Sequence, residues 1–165
     1  VAGPGVPAGK VISQVIQNVD LAPTFTQLGG ADPAKSVDGH SLVPLLQGGS
    51  DTPWPTVALV EHQGSNDNPA DPDFEGGGSN PTTYSAIRIS AKSLPHFSGP
   101  VEAVYVEYAD PQREIEFYDI NKDPYETDNV AGRLTTRQRD ELHSILAGLH
   151  ACHDANACWA ARRPT

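Results

Sequence analysis

The sequence predicts an α+β protein: a four-stranded antiparallel sheet packed on a long C-terminal helix, with a separate segment ahead of it. Three observations predict this. Between residues 56 and 120 lie four short runs of branched or alternating apolar residues, set apart by turn formers. Such alternation places one set of side chains on a core face and the other toward solvent. Behind them, apolar residues recur at helical spacing after a capping signal. Ahead of them the spacing is helical, and it changes to strand period across residues 48–55. That change divides residues 1–50 from residues 51–165.

The elements follow in order. Residues 1–9, rich in Gly and Pro, read as the end of a strand and then a turn. A branched run from Val11 to Val19 leads to Asn18 and Asp20, either of which is placed to cap a helix over residues 21–28. Pro23 falls in its first turn, where its missing N–H costs little. Gly29 and Gly30 stop it. A second, shorter helix begins at Ser41 and ends before Gly48 and Gly49. The strands are residues 56–63, 83–90, 102–108 and 114–120. In the third, Val104, Val106 and Tyr108 share one face, and Tyr105 and Glu107 share the other. Residues 65–81, between the first two strands, form a loop rich in Asn, Asp, Pro and Gly, of a length usually found in functional or disordered segments. Thr135 with Gln138 three residues later is a capping box. Leu142, Ile145, Leu146 and Leu149 then give residues 136–150 an apolar stripe that needs a partner, and the sheet is the nearest one.

Composition narrows the function. Of 165 residues, 21 are Asp or Glu and 11 are Lys or Arg, for a net charge of −10. A nucleic-acid binder needs a basic face, and the one basic pair, Arg162–Arg163, is too small to supply it. No stretch approaches the roughly 20 apolar residues of a membrane span. The chain starts at Val1 and has no Met, which predicts a processed product or a fragment. Cys152 and Cys158 are close in sequence, which suggests a short disulfide loop and an oxidising compartment; two free thiols in a frayed tail are the alternative.

Several motifs invite chemistry and lack a part of it. Gly3 to Lys10 resembles a phosphate loop, but Pro4 and Pro7 remove two of the amides such a loop requires, and Val11 stands where Ser or Thr should follow. Asp71, Asp73, Glu75 and Gly76 resemble the start of a calcium loop, yet its twelfth position is Thr82. His143, His150, Cys152, His153 and Cys158 cluster near the end, but without the tight paired spacing of zinc ligands. There is no nucleophile elbow. Glu61 and His62 are an acid and an imidazole in sequence, and a strand sends neighbours to opposite faces, so they do not form a dyad.

Several phrases in order resemble the C-terminal third of sulfatases of the alkaline-phosphatase superfamily. They are Gly3 to Gly9, Asn18-Val-Asp20-Leu-Ala-Pro-Thr24-Phe25, Asp38-Gly39-His40-Ser41-Leu42-Val43-Pro44-Leu45-Leu46, and Phe117-Tyr118-Asp119-Ile120-Asn121-Lys122-Asp123-Pro124-Tyr125-Glu126 with Asn129. The capped final helix has its counterpart too. Within the family, Leu59 to Gly64 and the terminal helix with its Cys pair look most like N-acetylglucosamine-6-sulfatases.

The resemblance implies that residues 1–50 are the C-terminal remnant of a large α/β catalytic domain. Residues 51–165 would be the small C-terminal subdomain. Family members hydrolyse sulfate esters with a formylglycine and a calcium ion, aided by Lys and His groups. All of these lie in the N-terminal part, so the resemblance places no catalytic residue and no metal ligand in this chain. The expected partners are the missing N-terminal catalytic domain and a sulfated small molecule or glycan, in a periplasmic, extracellular or lysosome-like compartment. Asp123-Pro124 is expected to set a turn, and Asn129 to satisfy backbone groups beside it. Cys158 to Arg162 partly matches a formylglycine context with Ala for Pro, but it sits after the last helix and is read as coincidence. His62, and with it Glu61, is the candidate for bordering the substrate pocket, because the family sets its small domain against the catalytic cleft. A related phosphodiesterase or phosphonate hydrolase and a stand-alone binding module remain as alternatives, and the isolated chain is expected to be inactive.

Overall fold

A computed structural model describes residues 1–34, 36–49, 53–63, 83–109 and 113–164. Four strands run β1 (Val57–His62), β2 (Tyr84–Ala91), β3 (Val101–Tyr108) and β4 (Ile115–Asp119). They form an antiparallel meander in the order β1-β2-β3-β4. The helices are α1 (Leu21–Leu28), α2 (Val43–Leu46), α3 (Thr136–Ala151) and α4 (Ala155–Ala161). The α+β class and the sheet-on-helix arrangement are those the periodicity predicts.

The core follows from alternation. Val57, Ile87, Ile89, Ala103, Tyr105 and Phe117 point to one face of the sheet, and the α3 stripe of Leu142, Ile145, Leu146 and Leu149 packs on them. Leu142 is fully buried. Each such side chain contributes roughly 1.5–3 kcal/mol when withdrawn from water. The cap is the predicted one: the Gln138 amide donates to Thr135 Oγ1, and Thr135 N donates to Gln138 Oε1 at 2.9 Å. A second, smaller core gathers Leu42, Leu45 and Trp54, with Trp159 against them.

The free edge of β4, and that of β1 as far as Leu59, are covered, which removes open N–H and C=O groups there that would recruit other chains. On β4, Asn129 Oδ1 accepts from Phe117 N at 3.1 Å and its Nδ2 donates to Ile115 O at 3.1 Å. Val130 N then donates to Phe117 O. On β1, Gln17 Nε2 donates to Leu59 O at 2.9 Å, and the Arg162 carbonyl accepts from both Thr56 N and Val57 N. The turn before Asn129 is held by Asp123, whose Oδ2 accepts from Thr127 N and Asp128 N at 2.7 and 2.8 Å. Those amide donors, led by Asp128, hold the Asp123 carboxyl below the usual carboxylate range.

Three expectations change. Asp20 stands at the α1 N-cap position but makes no side-chain cap bond to that helix. Its carboxylate turns instead to Gln17 N, His40 N and the Arg162 guanidinium. The tail after Cys152 is ordered as α4, capped by Asp154, whose Oδ1 accepts from Asn156 N and Ala157 N. Arg162, read in the sequence as half of a basic pair and as the end of a coincidental formylglycine-like stretch, is buried. Lys10 also has a structural bond, donating to Gly48 O at 2.8 Å. Gly39 is obligatory for packing: a Cβ there would lie 2.0 Å from the Val19 carbonyl oxygen.

Candidate functional site

β1 ends at His62, and the antiparallel register sets His62 opposite Tyr84 and Tyr84 opposite Tyr108. All three point to the sheet face away from α3, since residues at a given register share a face. His62 stacks on Tyr84 with ring centroids 5.3 Å apart, and Tyr84 meets Tyr108 at 5.8 Å. Beyond them Glu116 accepts from two phenols, Tyr108 at 3.2 Å and Tyr118 at 3.0 Å. Burial, then the Glu116 hydrogen bond and charge, push the Tyr118 hydroxyl up to about 12. The Tyr108 hydroxyl is raised by burial and then by Glu116. Both phenols therefore remain donors through the neutral range, and the row is a fixed strip of ring faces ending in a carboxylate.

Glu61 lies on the opposite face, as alternation requires. There it meets His150 across the end of α3, 3.2 Å from Nδ1. Beside it, Glu107 receives the Tyr105 hydroxyl at 2.7 Å and sits 2.9 Å from His143 Nδ1. Burial and the Glu107 bond hold the Tyr105 phenol far above its ordinary value. Glu61 and His62 are thus divided by the sheet and each joins a different set of groups. His143 and His150, which share a helix face, go to separate carboxylates. Among the described residues, no group of three or more His, Cys, Asp or Glu is arranged to hold a metal ion. The calcium-loop-like stretch Asp71 to Gly76 and most of the loop following Gln63 lie outside the described residues.

The Cys158 to Arg162 stretch is committed to structure. Cys158 is joined to Cys152, with Cα atoms 5.0 Å apart, and Arg162 pairs with Asp20. A cysteine in a disulfide and an arginine buried in an ion pair offer no nucleophile.

Tyr84, Tyr108, Glu116 and Tyr118 were not singled out as site candidates in the sequence. The signal was available in part: Tyr108 shares its face with Val104 and Val106, and counting from His62 through antiparallel partners reaches Tyr84 and Tyr108. The register itself depends on the loop between β1 and β2, and periodicity does not fix it.

No protein-family profile matches the chain. It is 28% identical to the N-acetylglucosamine-6-sulfatase of Homo sapiens, over 92% of this chain and 29% of that protein. It is 29% identical to arylsulfatase K of Xenopus laevis, over 88% of this chain and 25% of that protein. A solved structure described as being in complex with its substrate D-glucosamine-2-N,6-O-disulfate has the same fold, with a TM-score of 0.63 and 22% identity, over 86% of this chain and 25% of that one. The chain therefore spans less than a third of the length of the relatives it matches, and along nearly all of its own length its relatives are sulfatases.

Proposed function

From that relatedness we propose that the chain is the C-terminal portion of a sulfatase that hydrolyses sulfate esters of sulfated amino sugars or glycans. In this reading residues 1–50 complete the edge of the large catalytic domain, and residues 51–165 form the small subdomain beside its cleft. The carrying observation is the pairing of coverage, 92% of this chain against 29% of the human relative. A second observation supports it. Val11, Ile16, Val19, Leu21, Phe25 and Leu28 are exposed on the segment before the sheet. An apolar series of this size calls for a partner surface, which the remainder of a longer protein supplies.

The nucleophile, a formylglycine, and a calcium ion belong to the preceding part of the parent in this reading. This chain contributes fold completion and a wall of the substrate pocket. His62 is the residue assigned to that wall, since an imidazole both donates to and accepts from sugar hydroxyls. Glu61 borders the same strand end from the other face. The human relative, an N-acetylglucosamine-6-sulfatase, and the glucosamine disulfate bound to the fold neighbour support amino sugars within that substrate class. The disulfide supports an exported protein, and no helix among the described residues is long and apolar enough to cross a membrane.

The test is His62→Ala in the full-length parent. A recognition role lowers kcat/KM on the natural glycan far more than on a small aryl sulfate, because only the glycan reaches the residue. Equal losses on both substrates with a lower Tm would assign His62 to packing and remove it from the pocket.

A further inference from the structure

The last twelve described residues reach back to the beginning of the chain. Arg162 places its two terminal nitrogens 2.9 and 3.0 Å from the two oxygens of Asp20, a bidentate pair across 142 positions. Its carbonyl takes the amides of Thr56 and Val57. Trp159 lies 4.1 Å from the ring of His40 and 5.0 Å, edge on, from Trp54. Trp54 in turn donates to Val15 O at 2.9 Å, and the Asp154 amide donates to Asp38 at 3.0 Å. So α4 holds the segment 15–40 and the outer edge of β1 at once.

A seven-residue helix is far too short to persist alone. It is held from outside by these seam contacts and by the disulfide from Cys152 at the end of α3 to Cys158 in its middle. Trp159 follows Cys158 directly. Arg162 is one turn further on, its amide bonded to the Cys158 carbonyl.

We propose that the Cys152–Cys158 bond fastens a redox-controlled clasp: while closed it holds Trp159 and Arg162 in the seam between residues 15–40 and β1, and its reduction lets α4 withdraw from both. The reductant class is a dithiol. Its thiolate attacks the Cys152 sulfur, the less buried of the two, and Cys158 leaves as a thiolate and takes a proton. The second thiol of the reductant then displaces Cys152, so two electrons and two protons pass to the pair and the reductant becomes a cyclic disulfide. Opening removes the acceptor of the Thr56 and Val57 amides, exposes that edge of β1 and leaves the Asp20 carboxylate without its cation.

Both tryptophans of the chain lie in the seam, so the clasp has its own reporter. The experiment follows amide hydrogen exchange and tryptophan emission of the intact chain, oxidised and after a dithiol. Closing a short loop restricts the open state by roughly tenfold or more. Exchange at Thr56 and Val57 should therefore rise by at least about tenfold on reduction, with emission shifting to the red, while Ile87 and Tyr105 in the inner strands keep their protection. A Cys152→Ala/Cys158→Ala variant should resemble the reduced protein and ignore the dithiol. Trp159→Ala, with the disulfide intact, should raise exchange at the same two amides and leaves a test standing if the cysteine variant fails to fold. Unchanged exchange at Thr56 and Val57 on reduction would overturn the clasp. So would an equal rise across all four strands, which makes the bond a staple of the whole fold.

Discussion

Replacing Arg162 by Met removes a charge and keeps most of the side-chain volume. The Asp20 and Arg162 side chains are 0% and 2% exposed. After the substitution the Asp20 carboxylate keeps only the Gln17 and His40 amides as donors, in a site closed to water. Breaking one side of a buried pair costs about 3–5 kcal/mol, because the remaining charge is left uncompensated. An exposed pair costs no more than about 1 kcal/mol. The difference is large enough to decide between the two cases. Asp20→Asn should be similarly costly, since it strands the guanidinium. The double variant should cost less than the two single changes together, with a coupling of about 2–3 kcal/mol. Urea denaturation of the four proteins at neutral pH measures all of these. An Arg162→Met protein within about 1 kcal/mol of wild type, or strictly additive costs, would refute the claim that this pair joins the two ends of the chain.

Other outcomes follow from the same structure. Leu142→Ala should destabilise the sheet by about 2–5 kcal/mol, and truncation before Thr135 should abolish its cooperative melting; a truncated chain with an unchanged Tm would show that α3 does not cover the core. Asn129→Ala leaves Phe117 N and Ile115 O on the β4 edge without their side-chain partners and should cost about 1–3 kcal/mol by urea denaturation. His40 packs on Trp159, and burial lowers its pKa, outweighing the opposing pull of Asp20. A histidine whose folded pKa is lowered contributes stability that is complete above its unfolded value of about 6.5 and is lost as pH falls through the folded value. Stability should therefore decline as pH falls below about 6.5, and His40→Gln should flatten that part of the curve.

The sheet and α3 were legible because their burial has a short period. Val57, Ile87, Tyr105 and Phe117 announce a face by alternation, and Leu142 to Leu149 announce a stripe at helical spacing. Asn129 was legible as a backbone-satisfying residue, although the structure adds that the backbone is the free edge of β4. The seam was not legible. Asp20 looked like a helix cap because Asp is common there, and nothing local says that its partner is 142 positions away. The Ala-rich α4 has no apolar stripe to betray it, and its cap, Asp154, carries no periodic signal after it. The aromatic row was partly visible in strand alternation and became explicit only once the register placed His62, Tyr84 and Tyr108 side by side.

In the proposed reading the formylglycine lies in the part of the sulfatase that precedes this chain. Aryl sulfate hydrolysis by the isolated chain and by the full-length parent, side by side with calcium present, tests this. The parent should turn the ester over and the chain should not, because its disulfide-bonded Cys158 cannot be a formylglycine. Turnover by the isolated chain that Cys158→Ala abolishes, or a full-length parent unable to cleave any sulfate ester, would overturn the proposal.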